Sequence, residues 1–147
     1  MKKLDFDPNN IFSKIIRNEI PSFKIYEDEF TVAIMDIMPE SKGHTLVITK
    51  SPAPTLFDLD NQSLIACMNT VKKIAPVLME VTRADGLQLK QYNFDAGGQT
   101  IFQVHFHLVP CYEGKKLNRH AQENVNKQEI EAIAEELKLR LSTNLST

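Results

Sequence analysis

The sequence predicts an α+β fold: a five-stranded, mainly antiparallel sheet with a long helix between strands 3 and 4 and a C-terminal helix. Short runs rich in β-branched and aromatic residues, separated by turn residues, predict the strands. Two longer stretches repeat apolar residues at helical spacing and predict the main helices. The 147 residues match the length of one domain, which we place at 1–147, with a core at about 10–112 and a C-terminal loop and helix at 113–147.

The strands and the first helix can be assigned in order along the chain. Asn9 or Asn10 is placed to cap a short helix whose apolar residues are Ile11, Phe12, Ile15 and Ile16. Strands are then predicted at residues 23–27, 30–36 and 44–49, before the long helix. Two more strands follow that helix, at residues 86–93 and 101–110.

Two longer helices complete the prediction. Asp60 or Asn61 begins the first of them, which carries an apolar stripe between Leu64 and Val81. The second begins near residue 126, and its apolar face comprises Ile130, Ile133, Ala134, Leu137 and Leu141. The polar segment between Tyr112 and Asn124 has neither pattern and is predicted to be an exposed loop.

Composition narrows the class of protein. A formal net charge of −2 gives no reason to expect nucleic acid or an anionic membrane as a partner. No apolar run is long enough to span a bilayer, and no apolar segment follows Lys2 and Lys3, so we expect no signal peptide. Cys67 and Cys111 are too few for a disulfide framework and lack metal-ligand spacing. We therefore expect a reduced, cytoplasmic protein.

The predicted fifth strand carries the chemistry. Alternate residues of a strand lie on opposite faces. One face is apolar, with Phe102, Val104, Phe106 and Leu108; the other carries Ile101, Gln103, His105, His107 and Val109. Two imidazoles therefore lie on one face, about 7 Å apart along the strand. The preceding turn, Asp95-Ala96-Gly97-Gly98, and Thr100 offer backbone N–H groups and a hydroxyl, which suit phosphate oxygens.

Three interpretations of the two histidines are open from the residues alone. They are structural or surface histidines, ligands of a transition metal, or groups for nucleophilic and acid–base catalysis. A metal would need a third ligand, for which the candidates are His44, His120, Asp36 and Asp95, none of them in a repeated ligand motif. The phosphate-binding turn favours phosphoryl or nucleotidyl chemistry, with neither metal nor cofactor expected.

From Ile11 to about Tyr112 the chain resembles the histidine triad (HIT) superfamily of nucleotide hydrolases and transferases, in its bacterial-type, nucleotide-binding branch. The resemblance rests on residues 11–22 and on four later motifs, in the family's order and spacing. These motifs are Asp36-Ile37-Met38-Pro39, Gly43-His44-Thr45-Leu46-Val47-Ile48, Gly98-Gln99-Thr100 and Gln103-Val104-His105-Phe106-His107-Leu108-Val109. The last motif is His-φ-His-φ-His-φ-φ in the family, where φ is apolar, so Gln103 replaces the first histidine.

The resemblance implies a HIT-like fold and a role for each matching residue. It makes His105 the nucleophile, gives His107 contact with the phosphate oxygens, and leaves Gln103 a supporting position with His44 nearby. Asp36 would receive the ribose hydroxyls, although by itself it is equally typical of a turn. Asn93, Gly98, Gln99 and Thr100 would hold the phosphate and the leaving group. Phe12, Ile15, Ile34 and Met35 would wall the purine pocket; by pattern alone they are core residues.

The implied activity is attack on the α-phosphate of nucleoside phosphoramidates or dinucleoside polyphosphates. A nucleotidyl-histidine intermediate would release a nucleoside monophosphate such as AMP. The alternative is a nucleotide-binding or scaffold protein with weak or no catalysis, because Gln103 cannot take up a proton near neutral pH. The family's structural zinc is not expected, because Asn10, Ser13 and Pro52 stand at the places of its ligands. Family members are usually homodimers, and the helix at 64–81 is the expected contact surface.

Overall fold

The computed structural model describes residues 1–118 and 126–143. The helices are α1 (Ile11–Ile16), α2 (Asn61–Thr82) and α3 (Lys127–Thr143). The strands are β1 (Lys24–Glu27), β2 (Thr31–Met35), β3 (Thr45–Thr49), β4 (Gly86–Lys90) and β5 (His105–Cys111). The α+β class is confirmed, with α2 between the third and fourth strands and α3 at the C-terminal end.

The five strands form one sheet in the order β1-β2-β3-β5-β4, and every pair of neighbours is antiparallel. β5 lies between β3 and β4 because α2 carries the chain across one face before β4 begins. This order makes β3 and β5 direct neighbours. Leu46 therefore pairs with His107, and Ile48 pairs with His105.

Helices cover both faces of the sheet. The larger core lies between one face and helices α2 and α3, and all five apolar residues predicted for the last helix are buried there. A smaller core lies on the other face, where Phe12 and Ile15 of α1 pack on Val32, Ile34 and Ile48. Each face thus buries an amphipathic helix, as a layered α+β architecture requires.

The structure shows which residue caps the N-terminus of each of the first two helices, for which the sequence offered Asn9 or Asn10 and Asp60 or Asn61. The side chain of Asn10 accepts hydrogen bonds from the backbone N–H groups of Phe12 and Ser13 and begins α1. Asp60 accepts from the Ser63 N–H and begins α2. Among the described residues, no helix is long and apolar enough to cross a membrane.

The first three strands match their predicted bounds to within one residue at each end, whereas the last two differ by more. β4 ends at Lys90 rather than at residue 93, and β5 begins at His105 rather than at residue 101. Before β5 the Val104 carbonyl still accepts from the Thr49 N–H at 3.1 Å, but the Val104 N–H donates to the Ala53 carbonyl, in the loop after β3, at 3.0 Å. The predicted alternation of faces in the fifth strand is therefore wrong at Phe102, which lies outside the strand and is only partly buried.

Candidate active site

Three histidines converge where β3 meets β5. His105 and His107 are two residues apart in β5, and their ring centroids are separated by 5.0 Å. His44 immediately precedes β3, and its Nε2 lies 3.0 Å from Nδ1 of His107. All three side chains are buried. The antiparallel register joins residues that are 63 positions apart in the sequence.

Hydrogen bonds fix the proton positions of neutral His44 and His107. The Glu40 backbone N–H donates to Nδ1 of His44 over 3.0 Å, so this nitrogen carries no proton. Nε2 of His44 must then carry it and donate to Nδ1 of His107. Consequently the proton of neutral His107 is on Nε2, which makes this nitrogen a hydrogen-bond donor. Asp36 reinforces the arrangement, since its Oδ2 lies 3.5 Å from Nε2 of His44.

His105 is held in the opposite tautomer. Its Nδ1 lies 2.8 Å from the backbone carbonyl of Gln103, which can only accept a hydrogen bond. Nδ1 therefore carries the proton, and Nε2 carries the lone pair that a nucleophile needs. The edge of the Phe12 ring packs against the imidazole, with centroids 4.8 Å apart and planes at 75°. His105 therefore carries a lone pair on Nε2, and the adjacent His107 carries an N–H donor on Nε2.

A cavity of about 150 Å³ lies beside these rings. Its lining is mostly apolar and includes eight of the predicted site residues: Phe12, Ile15, Ile34, Met35, Asp36, Thr100, His105 and His107. Met35 is 2% exposed and also belongs to the larger core, so it serves both purposes. An apolar slot with a few polar groups at one side is typical of a small-molecule site.

Three other predicted residues belong to the loop that precedes β5. The buried side chain of Gln99 accepts from the Phe94 N–H at 2.8 Å and donates to the Pro54 carbonyl at 2.6 Å. Asn93 accepts from the Leu56 N–H. Gly98 ends the turn with a φ of 98°, a conformation that favours glycine. The side chains of Gln99 and Asn93 brace the loop that carries Thr100.

Gln103 lies two residues before β5, whereas His44 bonds to His107. Its Oε1 accepts from Asn10 Nδ2 at 3.0 Å and from Ser13 Oγ at 2.6 Å, and its Nε2 donates to the Thr49 carbonyl at 2.7 Å. The resemblance implies a supporting position at Gln103 with His44 nearby; the hydrogen-bond partners of the Gln103 side chain in the structure are Asn10, Ser13 and Thr49. The surroundings also do not fit a zinc ion, because Asn10 and Ser13 aim donors at an acceptor and offer neither thiolate nor imidazole.

Among residues 1–118 and 126–143, a different set of side chains comes closest to forming a metal site. The ligand atoms of Asp36, His44 and His107 lie within 4.8 Å of one another. His105 and Asp95 are not in this group, and His120 lies outside the described residues. The N–H of Glu40 opposes metal binding, because a metal on His44 Nε2 would force its proton onto Nδ1, facing that N–H.

Sequence reasoning missed two residues beside the histidines. The ring of Tyr92 packs on His107, with centroids 5.3 Å apart, after β4 has ended. Lys90 is paired in register with His107 and bonds to Glu40 over 2.8 Å. Partial burial by itself lowers the pKa of Lys90, but the hydrogen bond and charge of Glu40 outweigh it and raise this pKa. Only the β4–β5 register could have indicated either residue.

Comparison with known proteins gives consistent matches. A family model described as HIT domain matches residues 17–114. An uncharacterized HIT-like protein of Methanocaldococcus jannaschii is 40% identical over 104 residues, covering 71% of this chain and 80% of the relative. A Saccharomyces cerevisiae protein named adenosine 5'-monophosphoramidase is 37% identical over 105 residues, which cover 71% of this chain and 64% of the yeast protein. The crystal structure of a HIT-like protein from Bartonella henselae superposes with a TM-score of 0.83 at 40% sequence identity. The superposition covers 91% of this chain and 98% of the Bartonella chain.

Proposed function

Because the chain belongs to the HIT domain family, we propose that it is a purine nucleotide phosphohydrolase acting at the α-phosphate. Its substrates are nucleoside phosphoramidates or dinucleoside polyphosphates, and its product is a nucleoside monophosphate such as AMP. The yeast relative named adenosine 5'-monophosphoramidase supports this substrate class. The observation that carries the proposal is the Nδ1–H tautomer of His105, which leaves Nε2 unprotonated beside the cavity.

In the first proposed step, Nε2 of His105 attacks the α-phosphorus. A phosphorus–nitrogen bond forms, and the bond to the leaving amine or phosphate breaks, its electron pair staying with the leaving group. The Thr100 hydroxyl and nearby loop amides hold the non-bridging oxygens. Nε2–H of His107 donates to a phosphate oxygen, and a group near His107 supplies the proton that the leaving group takes up. Fixed donors of this kind stabilise charge that develops in the transition state.

In the second step, water attacks the nucleotidyl-histidine. A phosphorus–oxygen bond forms, and the water proton returns to the group near His107 that gave one up in the first step. The phosphorus–nitrogen bond breaks, a nucleoside monophosphate leaves, and His105 recovers its lone pair. Asp36 receives the ribose hydroxyls in both steps, because an ionised carboxylate accepts two hydrogen bonds well. The purine lies between Phe12, Ile15, Ile34 and Met35, whose side chains line the apolar part of the cavity.

Replacing the nucleophile tests this proposal. Removing one oxyanion donor typically costs about 100- to 1,000-fold in rate, and we expect His105→Ala to lose more than that. AMP release from adenosine phosphoramidate and from diadenosine polyphosphates would be measured for both proteins. Calorimetry should show that His105→Ala still binds AMP, since the cavity walls remain. Equal turnover by the two proteins would rule the mechanism out.

A second candidate function is a nucleotide-binding or scaffold protein with little turnover. The observation that favours it is Gln103, which occupies the position of the family's first histidine. This candidate predicts AMP binding without a burst of product and without a nucleotidyl adduct at His105 in the mass spectrum. A large rate gain in Gln103→His would support it. A metal-dependent reaction, the third candidate, predicts loss of activity with a chelator.

We further propose that the protein acts as a homodimer. Ile65, on the outward side of α2, is 59% exposed, and Leu89, on the edge strand β4, is 48% exposed. As an edge strand, β4 offers backbone N–H and C=O groups with which a strand of another chain can pair, and the occupant we propose is a second copy of the chain. Cys67 and Cys111 are both free thiols, which supports a reducing compartment such as the cytoplasm.

A further inference from the structure

A buried group of polar side chains joins α1 to the sheet at the start of β5. We define the Gln103 clasp as the side chains of Gln103, Asn10 and Ser13 together with the carbonyl of Thr49. Its three links are 3.0 Å from Asn10 Nδ2, 2.6 Å from Ser13 Oγ and 2.7 Å to the Thr49 carbonyl. Gln103 is 1% exposed. The clasp therefore connects α1, β3 and the segment before β5 through one buried side chain.

The chemistry of the clasp allows one orientation of the amide. Its oxygen faces two donors and its nitrogen faces a carbonyl, so a rotation by 180° about the last bond would break all three links. A buried polar group that loses its hydrogen bonds is left unsatisfied, which strongly disfavours the rotated form. The side chain of residue 103 is therefore fixed at both ends.

The same residue controls the nucleophile through its backbone. The Gln103 carbonyl holds the Nδ1 proton of His105 at 2.8 Å. The β3–β5 register begins at the pair of Ile48 and His105, so the ladder does not include residue 103. The N–H of the same peptide group, on Val104, donates to the Ala53 carbonyl at 3.0 Å, and the clasp fixes residue 103 from its side chain. It also ties down α1, whose Phe12 ring packs against the His105 imidazole.

We propose that Gln103 is a positioning residue whose clasped side chain holds the carbonyl that keeps His105 in the Nδ1–H tautomer. It acts through His105 and does not touch the substrate. A neutral amide keeps the clasp unchanged across the pH range in which a histidine at this position would take up a proton. The kinetic consequence rests on the proposed function, whereas the tautomer of His105 does not.

Three substitutions weaken the clasp to different degrees. Ser13→Ala removes one donor. Asn10→Asp keeps the acceptor that caps α1 but turns a carboxylate oxygen toward Gln103 Oε1. Gln103→Leu removes both the amide oxygen that accepts and the amide nitrogen that donates. Ser13→Thr, which retains the hydroxyl, is the conservative rescue, and Asn9→Asp is the matched control because it makes the same charge change at an exposed neighbour.

The primary measurement is the ¹⁵N chemical shift of the His105 ring nitrogens, which reports the tautomer in the protein without any nucleotide. Wild type, Asn9→Asp and Ser13→Thr should show the proton on Nδ1. Ser13→Ala and Asn10→Asp should show a mixture with Nε2–H. Their kcat/KM for adenosine phosphoramidate should fall by about fivefold to tenfold, as for loss of one buried hydrogen bond.

The outcomes separate the clasp from the proposed function. If His105 stays fully Nδ1–H in Ser13→Ala and Asn10→Asp, the proposal is overturned, whether or not Gln103→Leu folds. If the tautomer shifts but wild type releases no AMP, the clasp stands and the proposed function fails. Full activity of both variants, with a shifted tautomer, would overturn the kinetic consequence.

Discussion

Single backbone groups decide the proton positions at this site. The Glu40 N–H sets the tautomer of His44, which passes the same arrangement, with the proton on Nε2, to His107. The Gln103 carbonyl does the same for His105. Because a backbone N–H only donates and a carbonyl only accepts, each assignment is unambiguous for the neutral rings. The two histidines of β5 therefore carry their protons on different ring nitrogens although they are chemically identical.

At this scale Asp36 gives a clear prediction. One carboxylate oxygen accepts from the Met38 N–H at 2.8 Å, and Asp36→Asn keeps an oxygen for that bond. The substitution removes the charge proposed to receive the ribose hydroxyls. Charge-assisted hydrogen bonds contribute about 1.5–3 kcal/mol, so the Kd for AMP should rise about 10- to 100-fold in calorimetry.

The sugar supplies the control for Asp36. If Asp36 binds the ribose hydroxyls, the same substitution should have little effect on the Kd of 2',3'-dideoxy-AMP, because the interacting groups are already absent. The affinities of wild type and Asp36→Asn for AMP and for 2',3'-dideoxy-AMP together form a double-mutant cycle. An equal loss of affinity for both nucleotides would place the effect on His44 or on the loop instead.

Among the elements, the loop between β2 and β3 contributes most to the site. It carries Asp36, Glu40 and His44 within nine residues of chain, and it is shaped by a sharp turn at Gly43. Gly43 has a φ of 93°, and a Cβ atom placed there would lie 2.5 Å from Cγ2 of Thr82 in α2. The turn that positions His44 therefore depends on the absence of a side chain at residue 43.

Gly43→Ala should accordingly destabilise the protein. Backbone strain at positive φ and overpacking each cost about 1–3 kcal/mol, so the free energy of unfolding in urea should fall by about 2–5 kcal/mol. Gly86→Ala is the matched control: a Cβ there meets no atom within 4 Å, and its φ is not positive. A similar urea midpoint for the two variants would contradict the contact with Thr82.

On the scale of the whole molecule, the sheet separates two surfaces with different uses. The cavity and histidines lie on the α1 side, where the smaller core and the cavity share Phe12 and Ile15. The outward side of α2 lies beyond the opposite face, and it borders a groove of about 320 Å³ that includes Ile65. A partner that docks on α2 would therefore leave the cavity accessible.

The dimer proposal makes a prediction at this scale. Light scattering coupled to gel filtration should give about twice the chain mass of 16.7 kDa for wild type. Ile65→Lys should shift the mass to that of the monomer, because an interface would desolvate the ammonium group. Leu139→Lys on α3, where the side chain is 62% exposed, should remain dimeric. A monomeric wild type at micromolar concentration would exclude the proposal.

Much of the fold was predictable because its signals are local. The apolar positions of α3 follow from helical periodicity, and all five predicted residues are buried. The caps at Asn10 and Asp60 follow from side-chain chemistry next to apolar runs. Strand ends were harder to predict, because the chain before β5 bonds to a loop that no nearby residue indicates. Resemblance to the HIT family, rather than periodicity, indicated the site residues.

The sequence by itself determined the α+β class, the order of elements and the presence of two imidazoles on one strand, because these depend on spacing along the chain. Only the tertiary structure decided which groups those imidazoles meet. His44 reaches His107 across 63 residues, and Asn10 reaches Gln103 across 93, through strand register and helix packing. Tautomers depend on such contacts, since the proton of a neutral imidazole goes to whichever nitrogen faces an acceptor.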